Sequence, residues 1–178
     1  MRTKRSALYI LICAVIFCLD RYVKYYINAE IFPVSSLYPF YPYGGVGVFE
    51  NWCGGIDFSI NHVTNTGAAW GFLSAFQQIL LWLRMILIGG IAIYLFCFNT
   101  LKERELPFAL ILTGAIGNVI DHFVYGHVID MFHFNFWGFS FAVFNIADAA
   151  IFCGVTFIVL RPAFEKSWQG LRGLLGRS

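Results

Sequence analysis

Charge is what this sequence has least of: 12% of its residues are Asp, Glu, Lys or Arg, about half the share of an ordinary soluble domain. With 59% hydrophobic residues and a mean hydropathy of +0.70, that scarcity excludes a soluble fold, because 178 residues cannot hide so much apolar surface. Cysteine occurs five times and never as Cys-x-x-Cys. Cys13, Cys18, Cys97 and Cys153 fall in apolar runs and only Cys53 in a loop, so small apolar fillers are expected, not a disulfide framework or a cysteine metal site. Also missing are His-Glu-x-x-His, Gly-x-Ser-x-Gly and a Ser-Lys pair placed at the outer face, which removes the usual support for zinc or serine peptidase chemistry. A net charge of +2, with the basic residues flanking apolar runs, gives no basis for nucleic-acid binding.

What is present is apolar sequence in long stretches. Four runs reach the ~20 residues needed to cross a hydrocarbon core of about 30 Å: Ala7 to Ile27, Ile79 to Phe98, Leu106 to Val124 and Phe141 to Leu160. The first follows a basic start, as a cleavable leader does, but it runs on through Asp20 and Lys24 without an Ala-x-Ala site and reads better as a spanning helix. Lys and Arg set the orientation. Arg2, Lys4, Arg5, Lys102, Arg104, Arg161, Lys166, Arg172 and Arg177 all fall on one side, whereas the segments Asn28 to Gln78 and Tyr125 to Ser140 contain neither residue. Both termini are therefore predicted to be cytoplasmic.

The expected fold is an all-α membrane protein, a single domain over 1–178, with four transmembrane helices and a small β-rich periplasmic cradle between helices 1 and 2, at about residues 28–72. That outer segment is rich in aromatic, Gly and Pro residues and alternates in places, as in Ile56-Asp57-Phe58-Ser59-Ile60, which suits short strands lying at the interface. The tail from Glu165 to Ser178 mixes basic and apolar residues, consistent with a short helix on anionic lipid or with a frayed end.

Charged side chains at membrane depth cost several kcal/mol each, so each one is a functional hypothesis by default. Helix 1 rises outward and places Asp20 roughly 20 Å up, with Lys24 one turn higher. Helix 3 also runs outward and carries Asn118, Asp121 and His122 in its last turns, with Asp130 just beyond; helix 4 runs inward from Phe141 and carries Asn145 and Asp148 in its first two turns. Three helices and one loop thus deliver acids to one level. Two aspartates held close at low dielectric share a proton, and such a pair can activate water while donating to a carbonyl oxygen, which is acid-base peptide hydrolysis. The plainer reading of Asp20 with Lys24, at i and i+4, is an ion pair. The plainer reading of Asp148 is a carboxylate at a favourable helix end. Spacing does not decide which acids pair. Asn118-Val-Ile-Asp121 and Asn145-Ile-Ala-Asp148 repeat one pattern and couple Asp121 with Asp148, but Asp130 is an equal candidate. Gly114 and Gly117 permit the close helix approach that either arrangement needs.

Two other classes fit the pattern less well. A proton-coupled transporter requires acids laddered through the bilayer, whereas these cluster at one face. An intramembrane metallopeptidase would use His122, His127 and His133, whose spacing fits no closed ligand set.

The ordered motifs resemble those of the lipoprotein signal peptidase family, also called signal peptidase II. Asp20-Arg-Tyr-Val-Lys24 is similar to its Asp-x-x-x-Lys motif, and Asn65-Thr-Gly67-Ala-Ala to its outer-loop motif. Gly114-Ala-Ile-Gly-Asn118-Val-Ile-Asp121 with Gly126-His-Val-Ile-Asp130 is similar to its helix 3 signature, and Phe144-Asn145-Ile-Ala-Asp148 to its helix 4 signature. The resemblance implies a bacterial inner-membrane aspartic peptidase, with its active site at the periplasmic face. It would remove the signal peptide from diacylglyceryl-modified prolipoproteins on the amino side of the lipidated cysteine. It implies Asp130 and Asp148 as the catalytic pair, and Asp20, Lys24, Asn65, Gly67, Asn118, Asp121, His122 and Asn145 as residues of the substrate site. No metal or cofactor is implied; prolipoprotein and membrane lipid are the implied partners, and globomycin the inhibitor. Two departures stand out: the family usually has Arg directly after the helix 3 aspartate, where this chain has His122, and the outer loop is longer around Phe40 to Gly55.

Overall fold

The computed structural model describes residues 2–66 and 76–175, with side chains described from residue 6 to residue 161. Four α-helices and four strands follow in the order α1 (Arg2–Glu30), β1 (Val46–Trp52), β2 (Ile56–Asn65), α2 (Gln77–Ile93), α3 (Glu105–Tyr125), β3 (Val128–Phe136), β4 (Phe139–Ser140) and α4 (Ile146–Leu175). Helix α2 continues as a π-helical turn over Tyr94–Phe98, which carries it to the end of its apolar run. Among the described residues, three segments are long and apolar enough to cross a membrane: Ser6–Glu30, Gln77–Phe98 and Lys102–Tyr125.

Burial is inverted relative to a soluble protein. Nine buried hydrophobic side chains are matched by nine buried polar or charged ones among the described residues, while Leu, Ile, Phe and Trp side chains stand exposed along the helices. Charged groups almost never bury unless paired, so the outward apolar faces belong to lipid and the polar interior to a built site.

The strands form one antiparallel sheet in the order β1-β2-β3-β4. Strands β1 and β2 lie in the segment expected to form a cradle between helices 1 and 2, and β3 and β4, from the connection between α3 and α4, extend the sheet beyond that expectation. The pairing of β3 with β2 is long, running from Ile56 opposite Phe136 to Asn65 opposite Val128. Between Ile60 and Val63 the register shifts, so that Asn61 and His62 together oppose Met131, as in a β-bulge. Both bulged side chains are buried. Asn61 donates to Ser59 Oγ (2.9 Å) and accepts from the Tyr41 N–H (3.2 Å), and His62 Nδ1 lies 2.7 Å from the Ile31 carbonyl. A small core of Ile27, Ile129 and Met131 sits where the end of α1 meets the sheet.

Helix α4 also starts later than Phe141. The backbone from Phe141 to Phe144 is held by β3 instead: Phe141 N–H donates to Phe134 O (2.9 Å), and Phe132 and Phe144 exchange two hydrogen bonds. Stacking of Phe134 on Phe58 and Phe144 accompanies that extended path, and packing overrides the apolar run.

Candidate active site

Helix α1 brings Asp20, Arg21 and Lys24 to the site. Lys24 is fully buried, and its ammonium has three donors and three acceptors: Asp20 Oδ2 at 2.8 Å, Asp121 Oδ2 at 2.7 Å and Asn118 Oδ1 at 3.0 Å. The i, i+4 pair read from sequence is therefore formed, and it extends across to α3. Asp20 turns its other oxygen to α4, where it accepts from the Ala147 N–H (3.0 Å). Gly117 lets α1 come this near, since a Cβ there would meet Asp20 Oδ2 at 3.1 Å.

The start of α4 is closed by its own side chains. Asp148 N–H donates to Asn145 Oδ1 (2.8 Å) and Asn145 N–H donates to Asp148 Oδ2 (3.3 Å), the reciprocal arrangement of a capping box. With Asp20 on Ala147, the free N–H groups at this end meet carboxylate or amide oxygens, and the positive end of the helix dipole favours negative charge there.

Helix α3 contributes Asn118 and Asp121. Asn118 links the two halves, accepting from Lys24 and donating to Asp148 Oδ1 (2.7 Å). Asp121 is fully buried between Lys24 and the guanidinium of Arg21. Gly126, with φ of +78°, ends the helix, its N–H donating to His122 O. A glycine accepts this left-handed geometry without steric cost and turns the chain into β3. Four residues on, Asp130 is buried, opposite Val63 of β2.

Asp130 and Asp148 are joined by one residue, Asn145. Asn145 Nδ2 donates to Asp130 Oδ1 (2.6 Å) while its backbone N–H meets Asp148 Oδ2, and Asn65 at the end of β2 donates to Asp130 Oδ2 (2.8 Å). Burial first, and then the charge of Asp148, push the Asp130 carboxyl up to about 7, against the pull of Asn65, Asn145 and the Lys24 charge. An acid poised there can both hold and release a proton near neutral pH, beside a second carboxyl.

Asp20, Lys24, Asn65, Asn118, Asp121, Asp130, Asn145 and Asp148 are thus brought into one network. Gly67 lies outside the described residues. His122 turns elsewhere, its Nδ1 lying 3.2 Å from Gln77 Nε2 of α2. The three histidines disperse: His127 lies beside Tyr125, and His133 lies 2.8 Å from Ser140 Oγ. Sequence reasoning passed over Arg21 and the backbone N–H of Ala147. The signal for Arg21 was available, because a cation at membrane depth carries the same default as Lys24.

A family model described as Signal peptidase (SPase) II matches residues 12–164. The chain belongs to the signal peptidase II family. Among its relatives, the Lipoprotein signal peptidase of Nostoc punctiforme is 34% identical over 168 residues, covering 94% of this chain and 95% of that protein. The Lipoprotein signal peptidase of Campylobacter jejuni subsp. doylei is 39% identical over 108 residues, 60% of this chain and 69% of that one. A bacterial membrane enzyme solved by the in meso method at 2.3 Å shares the fold with a TM-score of 0.74 and 25% identity, covering 90% of each chain.

Proposed function

We propose that the chain is an aspartic endopeptidase that removes the signal peptide from diacylglyceryl-modified prolipoproteins, cutting on the amino side of the lipidated cysteine, with Asp130 and Asp148 as the reacting pair. The observation that carries this reading is the Asn145 bridge, which holds both carboxyls in one buried hydrogen-bond network at the end of three apolar helices.

In this reading one proton is shared by the pair. The ionised carboxylate takes a proton from a water, whose oxygen bonds to the scissile carbonyl carbon, while the protonated partner donates to the carbonyl oxygen. The tetrahedral intermediate collapses, the C–N bond breaks, and the amine of the lipidated cysteine leaves with a proton returned by the pair. Asp20, Lys24, Asn118, Asp121 and Asn145 hold the pair and the peptide backbone in register, Asn65 borders the substrate path, and Gly67 and His122 are assigned to the substrate site by the family resemblance alone.

The same proposal gives the chain four spans. Helix α4, with 30 residues and a length of about 45 Å, outreaches a 30 Å core and exposes Phe152, Phe157, Val159 and Leu160. Both termini then lie in the cytoplasm and the sheet rests on the periplasmic leaflet of the inner membrane. A signal peptide already in the bilayer meets the acids at the level of its lipidated cysteine without entering water.

The test is cleavage of a diacylglyceryl-modified prolipoprotein by the purified protein. Activity stopped by globomycin and indifferent to EDTA is expected, and Asp130→Asn or Asp148→Asn should abolish turnover with insertion intact. Near wild-type turnover in either variant would sink the assignment.

A further inference from the structure

Lys24 is saturated by Asp20, Asp121 and Asn118, so one ammonium stands between two buried carboxylates. The charge that completes this core comes from the neighbouring position on α1. Arg21 pairs with Asp121 through Nη2, donates from Nη1 to the Gly117 carbonyl (3.2 Å), and lies over the Tyr125 ring at 5.9 Å. Three attachments to α3 fix the guanidinium, and the planar fork suits them in a way that a point cation does not.

We propose that Arg21 is a positioning residue of the active site: by neutralising Asp121 it completes a core of two anions and two cations, and so sets the pH window in which the Asp130–Asp148 pair works. This rests on the reading of that pair as the reacting groups. The core is wired to the pair by contact, since Lys24 donates to Asn118, Asn118 donates to Asp148, and Asp20 accepts from the first turn of the helix that carries Asp148. The groups facing it are few. They are Asp20 and Lys24 from α1, Asp121 from α3, His127 from the α3–β3 turn with His62 of β2 behind it, Asp130 from β3 and Asp148 from α4; His122 points to Gln77 of α2. Lys24 is the one lysine of this set, and Arg21 stands beside it as the arginine of the core.

The sign follows from electrostatics. Loss of the Arg21 charge leaves one uncompensated anion behind the pair, and a nearby anion favours the protonated forms, so both limbs of the pH profile move upward. At an effective dielectric of about 20, a unit charge roughly 10 Å away corresponds to about one pH unit.

The experiment measures kcat/KM against pH for prolipoprotein cleavage by the full chain in lipid. Arg21→Met is expected to shift both limbs up by about one unit, Arg21→Lys to leave them in place at reduced rate, and Asp121→Asn to shift them down. Combining Arg21→Met with Asp121→Asn should return the limbs towards the wild-type position, because the core is neutral again. A uniform loss of rate in Arg21→Met with unmoved limbs would show a packing role only and overturn the proposal. If Arg21→Met does not accumulate in the membrane, Asp121→Asn against the double variant decides, and coincident limbs overturn it. Failure of the underlying reading looks different, since Asp130→Asn or Asp148→Asn would then cleave.

Discussion

Asn145 carries two separable duties. Its side-chain oxygen caps α4 through the Asp148 N–H, and its amide nitrogen reaches Asp130. Asn145→Ala should lose both, costing about 1–3 kcal/mol through the missing cap and the stranded partners, together with most activity. Asn145→Ser keeps a capping oxygen but no amide donor, so thermal unfolding in detergent should stay close to wild type while kcat collapses. Asp130 gives a prediction of opposite kind. The folded chain holds its proton up to about pH 7, whereas an unfolded aspartate releases it near pH 4. Between those values the folded state binds more protons, so stability falls as pH rises through the window, by up to about 1.4 kcal/mol per unit, and levels off above it. Asp130→Asn should flatten that slope and melt higher than wild type at pH 7; a slope unchanged in the variant would assign it to other groups. At this scale much of the site was legible, because few charges lie in apolar sequence and each must have a partner. The depth of Arg21 marked it as it marked Lys24, but its partner could not be read, since position i+1 to Asp20 gives no face-sharing rule and Asp121 lies 100 residues away.

Glycine spacing makes the helix pair. A Cβ on Gly114 would run into the Ala147 carbonyl and the Ile151 side chain, so α3 and α4 touch backbone to backbone just below Asp148. Gly114→Ala should therefore destabilise by about 1–3 kcal/mol and lower activity by displacing Ala147. Gly89→Ala on α2, where a Cβ meets nothing within 4 Å, should leave the melting temperature unchanged or slightly raised. Apolar run length located α1, α2 and α3 to within a few residues, because lipid imposes that length. It failed at α4, where Phe141 to Phe144 are as apolar as a helix but pair with β3. The strands of the α3–α4 connection were missed although Phe132-His133-Phe134-Asn135-Phe136 alternates; only the first half, buried on both faces, lacks that signal.

At the scale of the whole molecule the polar network sits at one end of the helices, beneath the sheet, and the remaining question is which side of the membrane that end faces. Cysteine supplies the test. Cys13 and Cys18 lie in α1, Cys97 in the turn that ends α2 and Cys153 in α4, where lipid covers the apolar faces, whereas Cys53 is exposed in the turn between β1 and β2, outside the apolar helices. All five are free, so no engineered probe is needed. The lysines and arginines at both termini and at the α2–α3 connection call for a cytoplasmic location, which leaves the sheet outside. A membrane-impermeant maleimide added to sealed spheroplasts should label the wild type and not Cys53→Ala. Labelling of Cys53 only after permeabilisation would put the sheet inside. The buried carboxylates would then lie in the wrong leaflet to meet a cysteine lipidated on the outer surface, and the peptidase reading would lose its physical basis along with the topology.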